Sequence, residues 1–331
     1  MEQRNFKALV VEKIADTQFQ RCIKQRSVSE LPPGDVLIRV QYSSLNFKDA
    51  LSATGNPGVT RNFPHTPGID AVGVVAHSDS KLWQAGDQVI VTSYDLGMNT
   101  DGGLSEYIRV PAQWVVALPS NLTPAQAMSY GTAGLTAALM ITALIDNGVQ
   151  PQDGEILVTG ATGGVGSVAV AILATLGYNV CAATGKASQT AYLKQLGATS
   201  VIDRNELTEN KRPMLKERWA GVVDVVGGET LSCAIKATKY TGTVTCSGMV
   251  SDVSFTTSIF PFILRGVKLI GIDSVECKME NRLSAWQQMA NQFKPTCLSN
   301  LTSEIKLEQA EAQLLAMLDG KSHGRFIVNL Q

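Results

Sequence analysis

Apolar residues in the second half of the chain fall in short, unbroken runs: Ile156-Leu157-Val158-Thr159, Asn179 to Ala183, Ser200 to Ile202, Gly221 to Val226, Gly242 to Ser247 and Val267 to Ile272. Strands of a parallel sheet bury both faces and so show no alternation of polar and apolar residues. The segments between the runs are long enough for crossover helices, and the spacing predicts a doubly wound sheet. Directly after the first run comes Gly160-Ala161-Thr162-Gly163-Gly164-Val165-Gly166, then an Ala/Val/Leu pattern reaching Gly177. That order is strand, glycine turn, helix.

The first third has a different texture. Phe6 to Val11, Asp35 to Val40, Gly68 to Ala76, Gln88 to Thr92, Leu104 to Val110 and Trp114 to Ala117 read as strands. Pro32-Pro33-Gly34-Asp35, Gly86-Asp87 and Asp101-Gly102-Gly103 read as turns, which predicts a small β-rich body. Past Leu118-Pro119 helix signals take over. Thr123, Pro124 and Gln126 form an N-cap, a first-turn proline and a capping box. The Ala-rich segment to Asn147 predicts a helix pair packed between the β body and the sheet domain. Beyond Ile272, Asn281 to Phe293 and Leu307 to Leu318 have helical stripes, Gly320 is a C-cap glycine, and Arg325-Phe326-Ile327-Val328 is a last strand. A final helix and strand outside the sheet's rhythm predict a return to the amino-terminal body. The expected division is residues 1–123 and 273–331 for the β body and 124–272 for an inserted sheet domain.

Composition narrows the function. A chain of 331 residues exceeds what one core usually supports. Lys+Arg of 28 against Asp+Glu of 29 gives no drive toward nonspecific nucleic-acid binding. Met1-Glu2-Gln3-Arg4 has no long apolar segment behind it, and no run of about 18 apolar residues occurs, so a cytoplasmic protein without a membrane partner is expected. The six cysteines, Cys22, Cys181, Cys233, Cys246, Cys277 and Cys297, show no C-x-x-C pair and no ligand-spaced histidine. They read as thiols of a reducing compartment, and no metal is expected.

The glycine turn is the candidate for chemistry. The first amides of a helix have no internal acceptor and, with the positive end of the dipole, suit a pyrophosphate. Gly163 lets the backbone approach an anion, and Gly166 lets the helix lie close on the strand. The first glycine of the usual G-x-G-x-x-G is replaced by Ala161. An NAD site places Asp or Glu about 20 residues on, at the end of the second strand. Here that position reads Thr184-Gly185-Lys186. A hydroxyl, an open amide and a cation suit a 2′-phosphate, to which Arg204 could add a planar fork. NADPH is therefore expected rather than NADH.

Several segments carry a family resemblance: Ser43 to Ala50 (SSLNFKDA), Phe63 to Asp70 (FPHTPGID), Gly131 to Ala137 (GTAGLTA) and the glycine turn. With them the chain resembles the zinc-free medium-chain dehydrogenase/reductases. Pro151 to Glu155 (PQDGE), Pro261 to Arg265 (PFILR) and Gly271 to Val275 (GIDSV) are similar to the bacterial acrylyl-CoA reductase group, also labelled quinone oxidoreductases. The resemblance implies an α/β protein with a GroES-like catalytic domain split around a Rossmann domain, a homodimer, NADPH as reductant, and reduction of acryloyl-CoA to propionyl-CoA. Carried over, the phosphate contacts fall on Thr162, Gly163, Gly164 and Val165, and the adenosine-phosphate contacts on Thr184, Gly185, Lys186 and Arg204. Nicotinamide-side contacts fall on Phe47, Met249, Ile263, Ser274 and Arg325. Position 47 is often Tyr in such relatives, so a phenol that could act as proton donor is missing. Zinc-dependent cousins would need a Cys near Asn46 and Gly-His-Glu in place of Pro67-Gly68-Ile69-Asp70.

Hydride transfer to the β-carbon of an unsaturated thioester builds negative charge on the thioester oxygen. By analogy Asn46 could orient substrate or nicotinamide ribose, Lys48 could donate to that oxygen, and Asp49 could hold Lys48. A competing structural reading has Asn46 capping a turn and Asp49 capping the short helix at Ala50. Arg61 could meet a CoA phosphate or be a plain exposed arginine. A quinone or small-enal reductase and a dinucleotide-binding protein without turnover remain open alternatives.

Overall fold

The computed structural model describes residues 4–208 and 211–331; Met1 to Gln3, part of the amino-terminal segment read above, lie outside the described residues. β1 (Asn5–Ala15) and β2 (Gln18–Ser27) pair as an antiparallel ribbon. β3 (Val36–Ser44), the short helix α1 (Phe47–Ala53), β4 (Asp70–Ser78), β5 (Gln88–Thr92), β6 (Tyr107–Val110) and β7 (Val115–Ala117) follow. Val36, Ile38 and Val40 of β3 alternate inward and meet Ala71, Val75, Val89 and Val91 in one core. That is the period of two expected of a strand with one face buried.

α2 (Pro124–Asp146) starts where the capping box predicts, with Gln126 N–H donating to Thr123 Oγ1 at 3.2 Å and Thr123 N–H to Gln126 Oε1 at 3.1 Å. Gly131, at φ 53° and ψ −154°, breaks the helix into the expected pair. A Cβ there would run into the side chains of Asp70, Ser44 and Arg325, so close approach and backbone angle both demand glycine. Among the described residues α2 is the one helix long and apolar enough to cross a membrane. Its apolar window is 72% buried within the fold, as befits a core helix, although the sequence reading had found no such stretch.

β8 (Ile156–Val158), α3 (Gly164–Thr175), β9 (Val180–Thr184), α4 (Thr190–Gln195), β10 (Ser200–Asp203), β11 (Trp219–Asp224), α5 (Gly228–Ala237), β12 (Thr238–Cys246), α6 (Phe260–Arg265) and β13 (Lys268–Gly271) then build a six-stranded parallel sheet. Its order is β10-β9-β8-β11-β12-β13, the two-halved dinucleotide-binding arrangement, with its switch point between β8 and β11.

α7 (Met279–Ala290) follows, then β14 (Thr302–Lys306), α8 (Ala310–Leu318) and β15 (Arg325–Asn329). β15 pairs with β14 in parallel and with β3 in antiparallel register, so the last strand does return to the first body, in a seven-stranded sheet. The chain divides into two compact units, one reaching Thr132 and resuming at Thr302–Gln331, the other Ala133–Leu301. The inserted unit thus runs further than residue 272. Arg282 of α7 donates to the carbonyls of Ser274 (3.0 Å) and Val275 (2.9 Å), and Thr142 of α2 donates to Gln288 at 2.9 Å, which binds α7 to the sheet unit.

Candidate dinucleotide site and catalytic residues

In the sheet unit the glycine turn has the geometry of an anion cradle. The first helical bond of α3 runs from Ser167 N–H to Gly163 C=O at 2.9 Å, so the amides of Gly164, Val165 and Gly166 precede it. Gly163 is the N-cap, in extended conformation at φ −78°. A Cβ on Gly163 would meet only the Gly160 carbonyl at 3.3 Å, so the fold itself does not require glycine there. A Cβ on Gly166, by contrast, would collide with the Gly160 carbonyl and come within 2.8 Å of Ala161 Cα. Gly166 serves helix packing, whereas the bare face of Gly163 fits a phosphate approaching from outside.

The neighbouring strand brings the rest of the candidate set to the turn. Thr184, the last residue of β9, lies with its Oγ1 3.4 Å from that of Thr162 and accepts from Lys186 N–H at 3.1 Å. Arg204, just past β10, lays its side chain against Gly185: a Cβ at 185 would sit 2.6 Å from its Nε. Lys186 is partly buried, and desolvation lowers its pKa. Thr184, Lys186 and Arg204 thus adjoin the carboxyl end of β9, and residues 184–186 carry no carboxylate; the nearest one, Asp203 of β10, pairs in register with Thr184 and accepts from Asn205 N–H at 2.8 Å. On the carboxyl-terminal side of β12 and β13, Met249 is 70% exposed and Ser274 is buried, accepting from Thr136 Oγ1 at 2.7 Å. Ile263 lies in the crossover helix α6, with its side chain exposed.

In the other unit, the start of α1 is locked by a buried polar cluster. Asp70 accepts from Thr132 N–H at 2.9 Å and Oγ1 at 2.6 Å, from Ser44 Oγ at 2.5 Å and from Asn46 Nδ2 at 2.8 Å. Arg325 donates to Ser129 C=O (3.2 Å), Leu45 C=O (3.1 Å), Asn46 Oδ1 (3.1 Å) and Ser44 Oγ (2.8 Å). Its Nη2 also lies 3.7 Å from Asp70. Asp49, fully buried, accepts from the backbone N–H of Asn46 at 2.7 Å and of Ile69 at 2.8 Å. Burial first, then the neighbouring Asp70, raises the Asp49 pKa to about 7.

Residues 32–120 match the alcohol dehydrogenase GroES-like domain and residues 164–293 the domain described as zinc-binding dehydrogenase. The chain is 42% identical, over 98% of its length and 99% of the relative's, to acrylyl-CoA reductase AcuI of Ruegeria pomeroyi. The chain belongs to the zinc-free medium-chain dehydrogenase/reductases. Its backbone is similar to that of the yhdH oxidoreductase of Salmonella enterica in complex with NADP, with TM-score 0.96 and 41% identity over 98% of this chain and 100% of that one. It is equally similar to Bacillus subtilis protein yhfP with NAD bound, at TM-score 0.96 and 44% identity over 99% and 100%. Like its relatives, this dehydrogenase/reductase is an oxidoreductase.

Three of the candidate residues have partners inside the protein. Arg325 is 2% exposed and its guanidinium bonds Ser129, Leu45, Asn46 and Ser44, so it ties β15 to α1 and α2. Asn46 gives its side-chain amide to Asp70 and Arg325 and its backbone N–H to Asp49. Asp49 does not hold Lys48: its carboxylate faces Asn46 and Ile69, and no Lys48–Asp49 ion pair exists among the described residues. It sits at the third position of α1 and closes back on the N-cap backbone. Phe47, 44% exposed, and the half-buried Lys48 are left as the accessible side chains of this first turn. Arg61 is exposed. The sequence reading missed Ser44, Asp70 and Thr132 as a cluster. Its signal was present, since a carboxylate and a guanidinium inside apolar strand runs each need a partner.

Proposed function

We propose that the chain reduces the C=C bond of an α,β-unsaturated acyl-CoA with NADPH, acryloyl-CoA to propionyl-CoA being the favoured reaction. The observation that carries this reading is the set at the end of β9, where Thr184, Gly185, Lys186 and the overlying Arg204 match a 2′-phosphate and lack the carboxylate of an NAD site. The full-length likeness to an acrylyl-CoA reductase supports the substrate class. NADPH, when bound, supplies the hydride for the β-carbon. The amides of Gly164 and Val165 hold the diphosphate, and Lys186 and Arg204 select the phosphorylated dinucleotide. Asp70, Arg325, Asn46 and Asp49 keep the first turn of α1 rigid, so that Lys48 donates to the thioester oxygen as charge builds there. Phe47 has no hydroxyl, so water delivers the proton to the α-carbon. All six cysteines are free thiols, in keeping with a cytoplasmic protein.

The chain acts as a homodimer in this reading. Among the described residues β13 is an edge strand paired with β12 alone, and Val250, Ile259, Phe260 and Leu264 expose apolar side chains in the segments leading to it.

NADPH oxidation is to be measured side by side with acryloyl-CoA, crotonyl-CoA and a benzoquinone. Turnover with acryloyl-CoA is expected. Consumption with the quinone alone removes the acyl-CoA reading, and NADPH binding without any turnover favours a non-catalytic dinucleotide binder. Replacing both Lys186 and Arg204 by Ala should weaken NADPH by about 1.5–3 kcal/mol per lost charged hydrogen bond and leave NADH nearly unchanged. Equal losses for the two dinucleotides would refute the 2′-phosphate role.

A further inference from the structure

The switch point of the sheet holds a buried carboxylate that no step above uses. Asp224, the last residue of β11, is wholly buried and accepts from Thr159 Oγ1 at 2.7 Å and from Gly227 N–H at 2.9 Å. Thr159 follows directly on β8; its hydroxyl accepts in turn from Val225 N–H at 3.1 Å, and its own N–H donates to Val223 C=O at 3.1 Å. β8 and β11 are the neighbouring strands from which the two halves of the sheet wind apart. Ligands of such sheets bind beyond the carboxyl ends of those strands.

The bonds lead straight into the glycine turn. Gly160, next to Thr159, takes φ 56°, and the Val225 and Val226 methyls fill the side where its Cβ would lie, at 2.8 and 3.1 Å. The Gly160 carbonyl receives Gly163 N–H at 2.9 Å and is the atom on which Gly166 packs. The other Asp224 oxygen fixes Gly227, which with Gly228 takes positive φ at the start of α5. One carboxylate therefore ties together the two turns that flank the switch point. Burial raises its pKa, while the hydroxyl and amides around it favour the ionised form. Burying a carboxylate is costly unless it is hydrogen-bonded, and Asp224 is held on both oxygens.

We propose that Thr159 and Asp224 are positioning residues of the dinucleotide site, holding the turn Gly160–Gly166 at a fixed distance from the turn Val225–Gly228. The inference rests on the cofactor reading above, and it concerns the part of the site shared by NADPH and NADH. Fluorescence titration of the purified protein with each dinucleotide tests it, alongside thermal melts. Thr159→Val and Asp224→Asn should each raise the Kd of both dinucleotides about tenfold, the scale of one lost hydrogen bond to a charged group. The NADPH/NADH ratio should stay as in the wild type, unlike the Lys186/Arg204 variant. The double variant should be weaker by less than the product of the two single effects, because the two groups share one bond. Thr159→Ser keeps the hydroxyl and should stay within about twofold of wild type. Should Thr159→Val not fold, Asp224→Glu keeps the charge but displaces it, and it should weaken both dinucleotides. Wild-type affinities in the folded variants, with only the melting temperature lowered, would reduce the pair to a brace of the fold and overturn the proposal. A wild-type protein that binds neither dinucleotide would instead remove the cofactor reading itself.

Discussion

Two glycines of the turn separate ligand from fold at the scale of one methyl group. Gly163→Val adds its side chain where only the Gly160 carbonyl stands nearby, at 3.3 Å, so the sheet should keep its stability while the phosphate loses its seat. Gly166→Ala drives a Cβ into the Gly160 carbonyl and the Ala161 backbone, and helix and strand must part. NADPH titration together with urea melts should give opposite patterns: lost binding with a near wild-type midpoint for Gly163→Val, and a lowered midpoint for Gly166→Ala. A Gly163→Val protein that binds NADPH normally would mean that no phosphate lies against the bare face of this glycine. The sequence could name both glycines, because strand, turn and helix are adjacent in the chain. It could not show Arg204 lying on Gly185, nor Asp70 meeting Arg325, because those contacts join distant segments.

At the scale of elements, periodicity located strands where apolar residues dominated a face, and it failed where polar residues outnumber the few that reach a core, such as Phe19, Ile23 and Ile305. β2 and β14 are polar along most of their length, with side chains largely exposed or half-buried, and neither was anticipated. α1 was legible only as a motif, and its anchoring depends on Asp49. The folded pKa of Asp49, about 7, stands above the ordinary 3.8 of a carboxylate. Between these values the folded chain keeps a proton that the unfolded chain releases, so this group's contribution to stability falls as pH rises from about 4 to about 7. About three pH units at about 1.4 kcal/mol each set an upper bound on the order of 4 kcal/mol. Denaturant melts of wild type and Asp49→Asn at pH 5 and pH 8 read the effect as a difference of differences. The variant should gain on the wild type at pH 8 relative to pH 5. An identical pH slope for the two proteins would show that Asp49 stays ionised throughout, its backbone donors outweighing its burial.

For the whole molecule, the return of the last strand to the first body was legible because Arg325 to Val328 is an apolar run outside the sheet's rhythm. The reach of the inserted unit to Leu301 was not, since α7 is bound to it through contacts such as Thr142–Gln288 rather than through pattern. Pattern also says little of what lies beyond β13, where, among the described residues, the sheet ends on an unpaired edge. Lys268 and Gly271 are exposed there, and Phe260 and Leu264 present apolar surface nearby. An open edge beside an apolar patch is an aggregation hazard unless it is covered, and the proposed second copy, related by a twofold axis, would cover both at once with the same residues. Light scattering on the eluting protein should give about 71 kDa, twice the 35.4 kDa chain. Phe260→Glu with Leu264→Glu should shift the mass to that of one chain, since two charges per copy are buried unpaired if the interface forms. Leu269→Pro should do the same by blocking edge pairing, though it also removes a donor from β13 itself. A wild-type mass of 35.4 kDa at micromolar concentration would leave the edge uncovered and defeat the dimer.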